Sequence, residues 1–391
     1  MKQVLSFSNR DLLYEDRKLS EVALINPSST VPSEFEYVDL ESVSGTEMIR
    51  HRLERKETAP SRAQRLAKRG DIFYQTVRPY QKNNYFFDMD EDNYVFSTGY
   101  AQIRPQINGK YLFTLLQSDA FLGQVLDYCA GTSFPAINPS ILSNLLIRVC
   151  TNQREQELIA NFFVYYDNII STASSRLASL KQVKEASLQA MFPQKGETVP
   201  KIRFKGFEEE WVITKAAEIF KTVNERNSSG LPVLSATQDK GMVTRESIGY
   251  NIFHDKANEA TYKHIRPGQF VMHLRSFQGG FAHSAIEGIC SPAYTIMEFK
   301  DKEVNHDLYW KYVLASKHFI KSLEMITYGI RDGRTISFDE FKEMVFLVPK
   351  VEEQQQIASY FTSLDKQIDL QMQRLEKLKQ IKAACLDKMF V

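Results

Sequence analysis

The sequence predicts an α+β protein in which two globular parts of mixed α/β character alternate with two long helices. Three observations carry this prediction. The stretch "REQELIANFFVYYDNIISTASSRLASLKQVKEASLQAMF", residues 154–192, returns 198 positions later as "EEQQQIASYFTSLDKQIDLQMQRLEKLKQIKAACLDKMF", residues 352–390. Both copies space their apolar residues alternately by three and four, the pattern of a helical seam. Each half also holds short apolar or alternating runs that read as strands, such as "IFYQTV", "YVFST", "QFVMHL" and "YTIMEF".

The repeat is a duplication. At the fixed offset of 198, Glu155-Gln156 falls on Glu353-Gln354, Ile159-Ala160 on Ile357-Ala358, Phe163 on Phe361 and Asp167 on Asp365. Further along, Lys184 falls on Lys382, and Met191-Phe192 on Met389-Phe390. Upstream the likeness weakens: "KYLFTLLQS" resembles "LYWKYVLAS", and "KRGDIFY" resembles "RPGQFVM". A period near 200 residues is too long for a solenoid, whose repeats run about 20–50 residues. The first seam comprises Ile159, Phe163, Tyr166, Ile170, Leu177 and Leu180; the second comprises Ile357, Phe361, Leu364, Ile368, Leu375 and Leu378. The natural burial partner of each seam is the other, and a forty-residue helix is roughly 60 Å long.

The elements follow in order. Residues 1–150 form the first globular part, with a helix expected over Tyr111–Tyr128 and a short one capped by Asn138 with Pro139 at its first position. The first long helix occupies 151–192, with Asn152 and Glu155 spaced as a capping box and Pro193 as its stop. Residues 193–350 form the second part, entered through the polar linker 193–211. It holds a helix over Leu308–Met325 and a capping box at "SFDE", while "FQGGF" reads as a hairpin turn. Pro349 precedes the second long helix, 351–391.

Composition narrows the function. Hydrophobic residues make up 43% and charged residues 25%, as in ordinary globular proteins, and no apolar run reaches the length of a membrane span. No signal-peptide pattern is visible, and the four separated cysteines form no C-x-x-C, which together point to the cytoplasm. Phosphate-loop, dinucleotide and zinc-protease motifs are absent, so no catalytic or metal-binding residue is assigned. The net charge of +1 does not announce a polyanion partner, but charge is unevenly distributed. Residues 45–70 hold eight Lys/Arg against three Glu, and residues 261–286 contain no acidic residue. A third cluster, "YGIRDGRTIS", combines Arg331 and Arg334 with glycines.

The helix pattern, with "FLVPKVEEQQQIASYFTSLDKQI" (346–368) and the entry segment "PKIRFKGFEEEW" (200–211), resembles the specificity subunits of type I restriction–modification systems. The first helix departs in its "CTNQREQ" start and its aromatic "NFFVYYD". The resemblance implies two target recognition domains, 1–150 and 193–350. They would be held apart by an antiparallel coiled coil of the two long helices, with an internal pseudo-two-fold repeat. Each domain would read one half of a bipartite, asymmetric target in double-stranded DNA, and the helix pair would set the spacing. Two modification (methyltransferase) subunits would dock on the helices, and restriction subunits would add translocation and cleavage. S-adenosylmethionine, ATP and Mg²⁺ would belong to those partners, leaving this chain without a cofactor, catalytic role or membrane contact.

Residue chemistry names the DNA-contact candidates: Arg50, Arg52, Arg62, Arg65 and Arg78 in the first domain, and Arg275, Ser276, Gln278, Arg331 and Arg334 in the second. Outward helix residues such as Lys366, Arg374, Lys377 and Asp387 are candidates for partner contact. The rival readings are a coiled-coil adaptor without DNA contact and a nuclease in its own right.

Overall fold

The computed structural model describes residues 14–194, 196–226, 230–237, 239–248, 261–273, 276–323 and 337–390. The chain divides into two compact units, Met1–Ser175 with Met372–Val391, and Arg176–Gln371. Both long helices, Gln153–Ala190 and Val351–Met389, are therefore shared between the units.

In the first unit, strand Tyr14–Lys18 pairs antiparallel with Leu146–Cys150, the strand that leads into the first long helix. A four-stranded sheet follows in the order Ala23–Ile25, Tyr100–Pro105, Ile72–Gln75, Tyr85–Phe86. A second runs Arg52–Arg55, Glu34–Val38, Tyr94–Ser97, Ala63–Leu66, with only its central pair parallel. The apolar runs at Ile72–Gln75 and Tyr94–Ser97 are buried along their whole length, as unbroken rather than alternating hydrophobicity requires. One core gathers Ile72, Tyr74, Ile103 and Tyr111 with Ile159, Phe163 and Leu386. A second is aromatic, with Phe73 and Phe96 stacked at 3.6 Å between ring centroids.

The second unit opens in the same way. Strand Val212–Lys215, a single helical turn Ala216–Ile219 and strand Phe220–Val223 repeat the unit-one succession Tyr14–Lys18, Leu19–Val22, Ala23–Ile25. Val212–Lys215 pairs with Val345–Val348, again the strand before a long helix. The main sheet runs Phe220–Val223, Thr295–Phe299, Phe270–Met272, Ala282–His283. Its core packs Phe220, Phe270, Phe299, Trp310 and Phe341 with Ile357 and Phe361. Burying each large aromatic contributes about 1.5–3 kcal/mol.

Four expectations are corrected. The helix over Tyr111–Tyr128 is two, Gly109–Leu116 and Asp119–Asp127, because the Ser118 hydroxyl accepts from the Phe121 amide and caps a new start. Ser316, the matching serine 198 positions on, likewise accepts from the Phe319 amide between Asp307–Val313 and Lys317–Leu323. "FQGGF" contains one helical turn, Ser276–Gly279, rather than a hairpin. Gly280 closes that turn at φ +78°, where a Cβ would lie 2.0 Å from the Leu314 carbonyl oxygen. At the first long helix the box is half formed: Asn152 Oδ1 accepts from the Glu155 amide, but the Glu155 carboxylate accepts from Tyr14 Oη instead. The cap at Asn138 and the box at Ser337 form as read, the latter with both reciprocal bonds.

In each unit the start of one long helix lies beside the end of the other, an antiparallel pairing. Phe390 stands against Phe163 and Tyr111 in the first unit; Phe192 stands against Phe361 and Tyr309 in the second. Every seam residue named from the sequence is buried or half-buried.

Candidate nucleic-acid interface

The basic segment 45–70 folds into the two outer strands of one sheet, Arg52–Arg55 at one edge and Ala63–Leu66 at the other. Much of its charge is neutralised by carboxylates from the adjacent strand Glu34–Val38 and the turn after it. Arg50 pairs with Glu41 at 2.6 Å, Arg52 with Asp39 at 2.8 Å and Glu54 at 2.7 Å, and Arg55 with Glu34 at 3.0 Å. Burial pushes the Asp39 carboxyl up, but hydrogen bonds from Arg52 and Ser42 outweigh it and hold it below its ordinary value. Arg52 also lies over the Tyr37 ring. Arg50 and Arg52 are exposed, yet a phosphate would have to compete with these acids for them.

Arg62, Arg65 and Arg78 differ, since none makes an ion pair with a described residue. Arg62 is exposed on the turn leading into Ala63–Leu66. Arg65 is half-buried in that strand with an unbonded Nε, and burial pulls its pKa down, though a guanidinium stays charged at neutrality. Arg78 lies just before a 3₁₀ turn, Pro79–Gln81, in the left-handed region at φ 54°, ψ 54°. Its guanidinium stacks 4.2 Å over the centroid of Phe134, and its Nε is buried without a partner. Phe134 is 61% exposed and Tyr80, on the turn itself, 51%. Sequence reasoning missed both rings, because they sit in loops with no periodicity.

In the second unit, Arg275, Arg331 and Arg334 lie outside the described residues. Ser276 is fully buried and its hydroxyl accepts from the His273 amide at 2.9 Å, whereas Gln278 is exposed. The acid-free segment meets acids from elsewhere. Arg266 pairs with Glu225 at 2.7 Å, His264 with Glu287 at 2.8 Å and His283 with Asp307 at 2.8 Å. Lys263 donates to the Tyr294 carbonyl at 2.6 Å, and burial, then the charge of Arg226, lowers its pKa. Arg245, a residue the sequence did not single out, bonds Ser235 through Nε and faces the Tyr262 ring. Among the described residues no His/Cys/Asp/Glu cluster could hold a metal, and no helix is long and apolar enough to cross a membrane.

Comparison with known proteins fits this geometry. Residues 208–380 match the family described as the type I restriction modification DNA specificity domain. The type I restriction enzyme HindI specificity subunit of Haemophilus influenzae is 29% identical over 139 residues, covering 34% of this chain and 30% of that protein. The MjaVIII specificity subunit of Methanocaldococcus jannaschii is 22% identical over 270 residues, covering 64% and 63%. The chain thus spans less than two thirds of either relative's length. Among solved structures, the type I restriction–modification S subunit from M. genitalium superposes with a TM-score of 0.61 at 13% identity, covering 99% of this chain and 98% of that one. At that identity the likeness establishes a shared fold.

Proposed function

Starting from residues 208–380 as a type I restriction modification DNA specificity domain, we propose that the whole chain is the DNA-specificity subunit of a type I restriction–modification complex. Each unit reads one half of a bipartite, asymmetric duplex target, and the helix pair sets the distance between the halves. The observation that supports this most is the duplication of one helix-anchoring scheme under two dissimilar surfaces. A pseudo-dimer with matching frames and diverged surfaces suits two different half-sites at a fixed spacing.

The chemistry of methylation and cleavage then belongs to partners that carry S-adenosylmethionine, ATP and Mg²⁺. Methyltransferase subunits dock on the outward helix faces. Lys366, Arg374, Lys377 and Asp387 are exposed there, as are Leu158, Phe162 and Tyr165, spaced by four and three along the first helix.

The test is methylome sequencing of the host with and without this gene. A bipartite adenine-methylated motif that disappears with the gene supports the proposal; an unchanged methylome sinks it. Inserting one heptad at matching points of both helices should lengthen the preferred spacer and leave both half-sites intact. Altered half-sites at the old spacing would remove the spacing role.

A further inference from the structure

We infer that Arg78 and Phe134 form one base-reading device of the first unit, with Arg78 contacting a guanine and Phe134 holding it in place. The inference rests on the DNA-reading role proposed above and names a residue pair within it. The backbone observation comes first. Arg78 is one of three non-glycine residues with positive φ among the described residues, and an arginine gains nothing locally from that strained region. The strain is fixed by its surroundings: the Arg78 amide donates to the Pro135 carbonyl at 2.7 Å, and the Ile137 amide donates to the Thr76 carbonyl at 3.0 Å. Opposite, Ala130 and Ala136 exchange two 2.9 Å bonds, closing a tight loop with Phe134 near its tip.

The side chains complete the case. A guanidinium whose carbon lies 4.2 Å over a ring centroid has lost much of its freedom to swing, while its terminal N–H groups remain donors. No described acid takes the Arg78 donors, in contrast to Arg50, Arg52 and Arg55, each bound to a carboxylate. Two parallel donors at fixed orientation match guanine N7 and O6, the commonest base-specific arginine contact. A phosphate would need no such preorganisation. Phe134 touches the arginine, not the acceptor, and is a positioning residue.

The test uses the full chain. Wild-type protein selects from a randomised duplex pool, and the selected duplex is then varied one base pair at a time. R78A should lose about ten- to hundred-fold discrimination at one G·C pair of one half-site, leaving the other half-site unchanged. R78K should fail to restore it, because an ammonium lacks the fork. F134L should lose part of that discrimination with an unchanged salt dependence, and F134Y should keep it. R78G separates folding from reading: glycine accepts positive φ, so its melting temperature should hold or rise while discrimination is lost. Uniform weakening of all duplexes by R78A, with a shallower salt slope, would make Arg78 a phosphate contact and overturn the inference. Full discrimination in R78A or F134L would overturn it too, leaving the broader reading intact. A wild-type chain that enriches no sequence would overturn that reading and the pair with it.

Discussion

The two units anchor to their helices through the same positions, but they do not use them equally. Gln156 and Gln354 are both buried, and each side-chain carbonyl accepts from the amide that starts a helix 48 residues earlier, Asn108 or His306. Each side-chain amide donates back to a carbonyl at or just past the end of the preceding strand, that of Cys150 or Pro349. One residue before, the carboxylates diverge. Glu155 accepts the Tyr14 hydroxyl at 3.0 Å, whereas Glu353 takes Trp211 Nε1 at 3.1 Å and both arms of Arg203 at 2.7 and 2.9 Å. Arg203 lies in the linker 193–211, before the first strand of the second unit. The duplication thus kept the frame and let the second unit recruit its linker as an extra clasp.

The largest expected effect breaks that clasp. Glu353→Ala leaves Arg203 without its partner at a site where the carboxylate is only 2% exposed, so it should cost about 3 kcal/mol or more. Glu155→Ala removes one hydroxyl bond and should cost about 1 kcal/mol. Denaturant titration followed by hydrogen exchange in the two segments measures both. Equal losses would mean that the linker contact adds nothing. The glutamines sharpen the point from the other side. Gln156→Ala and Gln354→Ala each orphan backbone groups within one unit, and each should cost about 2 kcal/mol. The Gln354 change should be the costlier, because its amide also donates to the Val304 carbonyl.

The frame was legible in the sequence because its residues repeat. Phe163 and Phe361, Asp167 and Asp365, and Phe192 and Phe390 emerged as coincidences at one offset, and each member makes the matching contact in its own unit: Phe163 with Phe390, Phe361 with Phe192, Asp167 with Lys382 and Asp365 with Lys184. Strand runs such as "IFYQTV" and "YTIMEF" were legible because they are short and rich in apolar and aromatic residues, most of which are buried. The interface was less so. A run of arginines reveals its sign but not its partners, and the acids that engage Arg50 and Arg52 come mostly from 34–41, on another strand. The Ser118 and Ser316 caps hid inside continuous helical periodicity. The Arg78–Phe134 stack joins residues 56 apart in loops, where no spacing rule applies.

A subtler asymmetry lies in two matching tyrosines. Tyr111 Oη accepts from the Cys150 amide at 2.9 Å. In the second unit Val348 matches Cys150, and the hydroxyl of the matching Tyr309 is buried without a partner. Tyr111→Phe should orphan the Cys150 amide and cost about 1–2 kcal/mol. Tyr309→Phe removes a stranded hydroxyl and should be neutral or stabilising. Thermal melts of the two variants decide this, and a destabilised Tyr309→Phe would show that its hydroxyl is satisfied after all.

The smallest expected difference lies between the ion pairs that join the helices. Lys382 pairs with Asp167 in the first unit and Lys184 with Asp365 in the second, the same positions with the helices exchanged. All four side chains keep some solvent contact, so each pair alone should be worth under about 1 kcal/mol and weaken with salt. Asp365, however, also accepts from Tyr312 Oη at 2.8 Å and has Lys311 at 3.9 Å. Among the described residues Asp167 has no counterpart to Tyr312, since the matching residue is Thr114, whose hydroxyl donates to the Lys110 carbonyl within its own helix. Asp365→Asn should therefore destabilise more than Asp167→Asn, and the excess should persist in high salt, where a simple surface pair is screened. Double-mutant cycles with Lys184→Ala and Lys382→Ala measure the two couplings. Equal couplings at every ionic strength would mean that the tyrosine adds no more than a solvent-exposed hydroxyl.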